Sequence, residues 1–325
     1  MSAMNLRWIV WAAACISLGW LFGCGSETDT EAEPTTTADG GTSAGGASAG
    51  GSSAGGSDIG GSSVGGSGSG YAEAVCDPLA DLSGVAAAYS PSELRVALSG
   101  IATARYPIAN DFLDAQTDQQ LSTWFGGSAS TFDDALDGFE VAVHEGSHIW
   151  GFENGTYSEH AYRIRDDLEI VTPELANFPR SEILGIHADP SADMYSDTYL
   201  TGQSGSQGFN SLLDEYNAYV HSLASKYCTR DALSQGMSTS ARDGILTFMY
   251  YVELYLKLAR TVHTDDYAEI LADTDHVNLI LTVWDRAEFW LAVTNGTPSL
   301  GIDDDEISAW TYAPDNVAEI EALRP

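Results

Sequence analysis

Positive charge is scarce in this chain of 325 residues. It carries 13 lysines and arginines against 47 aspartates and glutamates, a formal net charge of −34 at pH 7. A surface so unbalanced repels phosphate backbones, which excludes nucleic-acid binding. Cysteine is also sparse: Cys15, Cys24, Cys76 and Cys228 are all there is, too few and too widely spaced for a zinc knuckle or a dense disulfide framework. A membrane-spanning helix is missing as well, because the uncharged run over residues 8–22 is short and soon gives way to glycine and serine. The surplus acid reads as a solvated surface. Asp303-Asp304-Asp305-Glu306 is rich in oxygen but lacks the ordered loop pattern of a calcium site, and no calcium is assigned to it.

What is present begins with an address. Residues 1–23 read as a secretion signal, in which Arg7 supplies the positive charge and residues 8–22 the apolar segment. Leu21-Phe22-Gly23-Cys24 resembles the lipobox of bacterial lipoproteins. That resemblance implies lipidation of Cys24 and attachment to the bacterial cell envelope, at the periplasmic side of the outer membrane or at the cell surface. Residues 24–70 then form a tether, with glycine pairs recurring every five residues from Gly40-Gly41 to Gly65-Gly66. No repeat unit has an apolar face to bury, so this is flexible low-complexity chain with a reach of about 35–40 Å. Cys15 leaves with the signal and Cys24 takes lipid, so Cys76 and Cys228 remain to form a disulfide in an oxidising compartment.

Residues 71–325 contain no second linker and read as one domain. Helical periodicity dominates it, in "SPSELRVALSGIATARY", "ARDGILTFMYYVELYLKLARTV" and "DHVNLILTVWDRAEFWLAV". The first of these opens with a Ser-x-x-Glu pattern, from which Ser90 or Ser92 is expected to cap the helix. Strand material is confined to "AYRIRDDLEIV" and "SEILGIH". The expected class is mainly α, in α+β terms a helical domain with a small β element.

The chemistry concentrates in "FEVAVHEGSHIWGFEN", residues 139–154. On a helical wheel His148 falls about 40° from His144, so both imidazoles leave one face a turn apart and can share a metal. Asp137, Glu140 and Ser147 lie near that stripe, and apolar residues fill most of the remaining circle. Glu145 stands about 100° from His144, between Val141 and Ile149, where a carboxylate at an apolar edge needs compensation. Gly146 weakens the helix by about 1 kcal/mol relative to alanine, which suggests that another backbone approaches there.

His144-Glu145-Gly146-Ser147-His148 resembles the zinc motif of the zincin metallopeptidases. The resemblance implies a zincin-like domain binding one Zn2+ per chain, with His144 and His148 as ligands and Glu145 as general base, acting on a peptide or protein substrate. A catalytic zinc takes three protein ligands. The His-x-x-Gly continuation is similar to metzincins, but their third ligand would fall at Asn154, a poor donor, and Met194 would have to serve as a Met-turn; Gly151 is more simply the helix C-cap. In the segment "NSLLDEYNAYVHSLASKYC", Glu215 borders an apolar face of Leu212, Leu213, Tyr216, Val220, Leu223 and Tyr227, while Asp214 points the opposite way. Glu215-Tyr216-Asn217-Ala218-Tyr219 resembles the ligand helix of gluzincins, with Tyr219 where those place an aspartate. Glu215 is therefore the expected third ligand, with His160, Glu159, His187 and His221 as substitutes. Tyr219 and His221 are the candidate donors to a transition-state oxyanion. Zincins also place an edge strand before the His-Glu helix, whereas "TWFGGSASTFDDALDG" reads as loop and helix start. The rival expectation is a non-catalytic acidic surface lipoprotein that binds ions or a protein partner.

Overall fold

The structure is a computed structural model that describes residues 71–76, 79–126, 129–232 and 239–325. The expected signal, the lipidated Cys24 and the tether lie outside the described residues. The chain runs through α1 (Ser83–Ala87), a 3-10 turn, α2 (Leu94–Arg105), α3 (Ala109–Asp114), α4 (Asp118–Trp124) and α5 (Phe132–Asn154). The hairpin β1 (Glu159–Arg165) and β2 (Leu168–Pro173) follows, then a 3-10 turn over Arg180–Gly185 and the short α6 (Ser196–Tyr199) and α7 (Gly202–Gly205). Four longer helices, α8 (Phe209–Thr229), α9 (Ala241–Thr261), α10 (Thr264–Ala272) and α11 (Thr274–Val293), lead to α12 (Asp304–Thr311) and α13 (Pro314–Glu321). The fold is mainly helical with one small antiparallel sheet.

Local chemistry accounts for the two ends of α5. Thr131 accepts from the Asp134 amide (3.1 Å) while the Asp134 carboxylate accepts from the Thr131 amide (2.8 Å), a reciprocal cap that also sets acid at the positive helix end. The helix runs past Gly151 and ends at Asn154, so Gly151 is not the cap; Gly155 is. Gly151 instead makes room for β1. A Cβ there would stand 2.6 Å from Ala161 O and 3.2 Å from His160 Nε2. Gly146 does the same for α3, since a Cβ would meet Phe112 O at 2.6 Å and Gln116 Nε2 at 2.3 Å. The space lets Gln116 donate to Phe112 O (2.9 Å) and Ala142 O (2.8 Å), pinning α5 to the chain before it.

Three expectations fail for identifiable reasons. Neither Ser90 nor Ser92 caps a helix: their hydroxyls bond each other at 2.9 Å, and Pro91–Glu93 forms a 3-10 turn ahead of α2. "SEILGIH" is a 3-10 turn rather than a strand, because Arg180 is buried and its guanidinium collects Tyr199 O, Ser204 O and Gln207 Oε1. That tertiary demand overrides a weak alternating pattern. The third failure is the wheel of α8. Nineteen of its 21 residues are buried, so the helix has no solvent face to which Asp214 could turn.

α8 is the axle of the fold. It packs against α5 on one side and α9 on another, with β1 and α11 closing around it. The hairpin pairs His160 with Thr172 and Tyr162 with Ile170. The outer edge of β1 is spent on α8, for Arg163 O accepts from His221 Nε2 (2.7 Å) and Asn217 Nδ2 (3.2 Å). Ahead of α8, Cys76 is joined to Cys228 with Cα atoms 5.5 Å apart, and Glu73 reaches Arg286 (2.8 Å) and Trp290 Nε1 (2.6 Å). These links hold the start of the domain onto α8 and α11. Among the described residues no helix is long and apolar enough to cross a membrane.

Candidate metal centre

α5 and α8 run side by side and bring three donors together. His144 Nε2 and His148 Nε2 are 3.3 Å apart, and Glu215 Oε2 lies 3.6 Å and 3.4 Å from them. Two ligands at about 2.0–2.1 Å from a tetrahedral zinc are separated by about 3.3 Å, so this triangle has the edge length of such a site. Glu215 Oε2 is buried and makes no hydrogen bond within the chain. Two imidazoles and one carboxylate make the donor set of a catalytic zinc. Among the described residues this is the one group of three or more His, Cys, Asp or Glu whose ligand atoms converge.

The atoms facing away from the triangle are engaged. His148 Nδ1–H donates to Asp214 Oδ2 (2.7 Å) and His144 Nδ1–H to Ser222 Oγ (3.0 Å). Each ring is thereby fixed with Nε2 toward its partners. Asp214, 3% exposed, also faces His160 Nε2 at 3.3 Å. Burial alone would lower His160, but Asp214 and then Glu174 outweigh it and hold the imidazole up at about 9. Burial opposes ionisation of Glu215, yet the facing His148 and His144 keep its carboxyl down at about 2.

The expected residues distribute unevenly. His144, His148 and Glu215 meet. Asp214, expected to point away, supports His148 instead. Glu145 is part-buried on α5, between the exposed Val141 and the half-buried Ile149. The substitutes do not reach the triangle: His160 is occupied with Asp214, and His187 Nε2–H donates to Asp193 (3.0 Å). Glu159 accepts from Thr156 Oγ1 at the start of β1 (2.9 Å). Asn154 Nδ2 donates to Trp150 O (2.9 Å), and Met194 is 40% exposed, which removes the metzincin arrangement.

His221 is not a donor to the site. It is fully buried, with Nε2–H on Arg163 O (2.7 Å) and Nδ1 accepting from Tyr106 OH (2.7 Å), and burial followed by Arg286 pushes it well below its ordinary range. Tyr219 does stand at the site, its ring edge-on to His144 with centroids 4.8 Å apart. Its hydroxyl bonds that of Tyr199 at 2.9 Å. Burial, then the charge of Glu215, raises Tyr199 well above the ordinary phenol range, with Glu145 acting in the same sense. Ser222, two turns after Glu215 on the same helix, and Tyr199, on a separate short helix, went unmarked in the sequence. The polar stripe of α5 continues beyond the histidines, where Glu140 Oε2 and Asp137 O lie 3.4 Å from Lys226 Nζ on α8.

No protein-family model, curated protein or solved structure matches the chain. The functional reading therefore rests on the geometry of the site and the motif that builds it.

Proposed function

We propose that the chain is an exported, lipid-anchored zinc metallopeptidase. The observation that carries the reading is the donor triangle of His144, His148 and Glu215, with edges of 3.3, 3.4 and 3.6 Å and an outward partner on each ring. Zn2+ held by these three residues would polarise a scissile carbonyl and make water acidic near neutral pH. Glu145, part-buried on α5 directly after His144 and three residues before His148, takes the proton from the attacking water and returns it to the leaving amine. Asp214 and Ser222 keep the two imidazoles in the ligating tautomer. Tyr199 and Tyr219 carry two O–H groups and share one hydrogen bond, which leaves one hydroxyl proton for the oxygen on which charge develops. The lipid anchor on Cys24 and the bacterial envelope location rest on the N-terminal sequence pattern.

The test is zinc content and peptide cleavage measured on the same preparation. One zinc per chain, with casein or peptide cleavage lost in Glu145→Gln while the zinc stays, is the expected result. Zinc without any peptide cleavage would redirect the reading to another hydrolysable substrate, and absence of zinc would end it.

A further inference from the structure

His160 lies one contact beyond the donor triangle. It stands near the start of β1, opposite Thr172 in the register, and its side chain is buried between two carboxylates. Nε2 sits 3.3 Å from Asp214 Oδ1, and Nδ1 sits 3.5 Å from Glu174 Oε1. The Asp214 carboxylate is thereby shared, for Oδ2 takes the N–H of His148 and Oδ1 faces His160. The contact with His160 is ionic, since its Nε2 is buried and makes no hydrogen bond. Tyr162 and Phe152 wall in the ring, with centroids at 4.6 Å and 6.5 Å. The two acids differ in what else serves them: the Glu174 side chain is 42% exposed to water, and Asp214 is buried.

The backbone of α5 is shaped to this arrangement. Gly151 stands three residues after His148, and a Cβ there would meet Ala161 O at 2.6 Å and His160 Nε2 at 3.2 Å. A side chain at position 151 would push β1, and His160 with it, away from Asp214. The charge balance asks for the same residue. A metal-bound His148 is neutral and offers Asp214 one N–H, which does not offset a buried negative charge. Burial opposes a charge on His160, but Asp214 and then Glu174 prevail and keep the imidazole cationic below about pH 9. We propose that His160 is a positioning residue of the metal centre, whose charge fixes Asp214 and, through Asp214, the ligating orientation of His148. The inference rests on the zinc reading of the His144, His148 and Glu215 triangle. It also gives the β1–β2 hairpin a task, the presentation of His160 to the metal centre.

The experiment is zinc affinity of the full chain, by competition with a chelator of known affinity, together with the visible spectrum of the Co2+-loaded chain. His160→Gln should weaken zinc by about tenfold and shift the cobalt bands in the same sense as Asp214→Asn. Gly151→Ala should do the same. In the double variant Asp214→Asn/His160→Gln the losses should not add, because His160 acts through Asp214. Imidazole nitrogen NMR of the zinc-loaded wild type needs no substitution, and at neutral pH it should show both nitrogens of His160 protonated. Three results overturn the proposal: a neutral His160 in that spectrum, wild-type zinc affinity and cobalt bands in His160→Gln, or additive losses in the double variant. A wild type without zinc removes the centre and this role together. Zinc bound equally by wild type and His160→Gln, but lost in His148→Ala, leaves the centre standing and removes only the role of His160.

Discussion

Two buried polar regions flank α8, and they solve burial in opposite ways. At the α5–α8 seam every imidazole nitrogen facing away from the donor triangle has a partner, Asp214 for His148 and Ser222 for His144. On α9 the buried carboxylate of Glu253 has none among the described residues. A buried polar group is costly unless it is hydrogen-bonded, so the first region is organised in advance, whereas in the second burial pushes the Glu253 carboxyl up to about 10 and holds it neutral. The comparison teaches that position in a helical core does not define a functional group; what its remaining donors and acceptors touch does.

The comparison can be broken most forcefully at Glu145. Glu145→Gln should lower kcat by about 10²–10⁴-fold with zinc content unchanged, measured by peptide hydrolysis and metal analysis of the same sample. A variant that loses its zinc would assign Glu145 to structure instead of proton transfer. Next in size is Asp214→Asn, which should weaken zinc affinity by about 10–100-fold, because His148 loses an ionised partner. Glu253→Gln should leave that affinity untouched. If both variants weaken zinc equally, the two regions are not independent.

Acid–base behaviour gives a smaller effect with a definite sign. The folded chain keeps a proton on Glu253 up to about pH 10, whereas the unfolded chain releases it in the ordinary carboxylate range. The folded state then binds more protons between those limits, so stability falls as pH rises, by up to about 1.4 kcal/mol per pH unit. Denaturant melts of wild type and Glu253→Gln between pH 5 and 9 check this, and the slope should flatten in the variant. The least effect is expected from Ser222→Ala, which removes one neutral hydrogen bond from His144 and should weaken zinc by about tenfold or less. A loss as large as that of Asp214→Asn would mean that the charge of Asp214 contributes nothing beyond geometry.

Much of the site is legible from local pattern because its largest part is local. Two histidines four apart on a helix face one another whatever surrounds them, and the apolar residues around them mark that helix as buried. Glu215 is legible by residue type, beside an apolar face on a second helix. Asp214 is not, because a wheel assumes one wet side, and α8 has only Ser211 and Glu215 less than fully buried. Ser222 stands seven residues after Glu215 on the same face of α8, but its contact with His144 spans 78 positions of sequence and needs the packing of α5 on α8 to be known. The main helices of the second half announce themselves by long apolar periodicity, and α9 and α11 form nearly where that pattern runs. The 3-10 turn at Arg180–Gly185 does not, since its conformation is set by the carbonyls that Arg180 gathers from Tyr199 and Ser204.

The central claim is that His144, His148 and Glu215 form a zinc site. Metal analysis of the purified full chain, with His148→Ala and Glu215→Gln as controls, tests it most directly. One zinc per wild-type chain, falling below stoichiometry in both variants, is the predicted result. A wild-type chain without zinc, or one whose zinc is unaffected by His148→Ala, would contradict it.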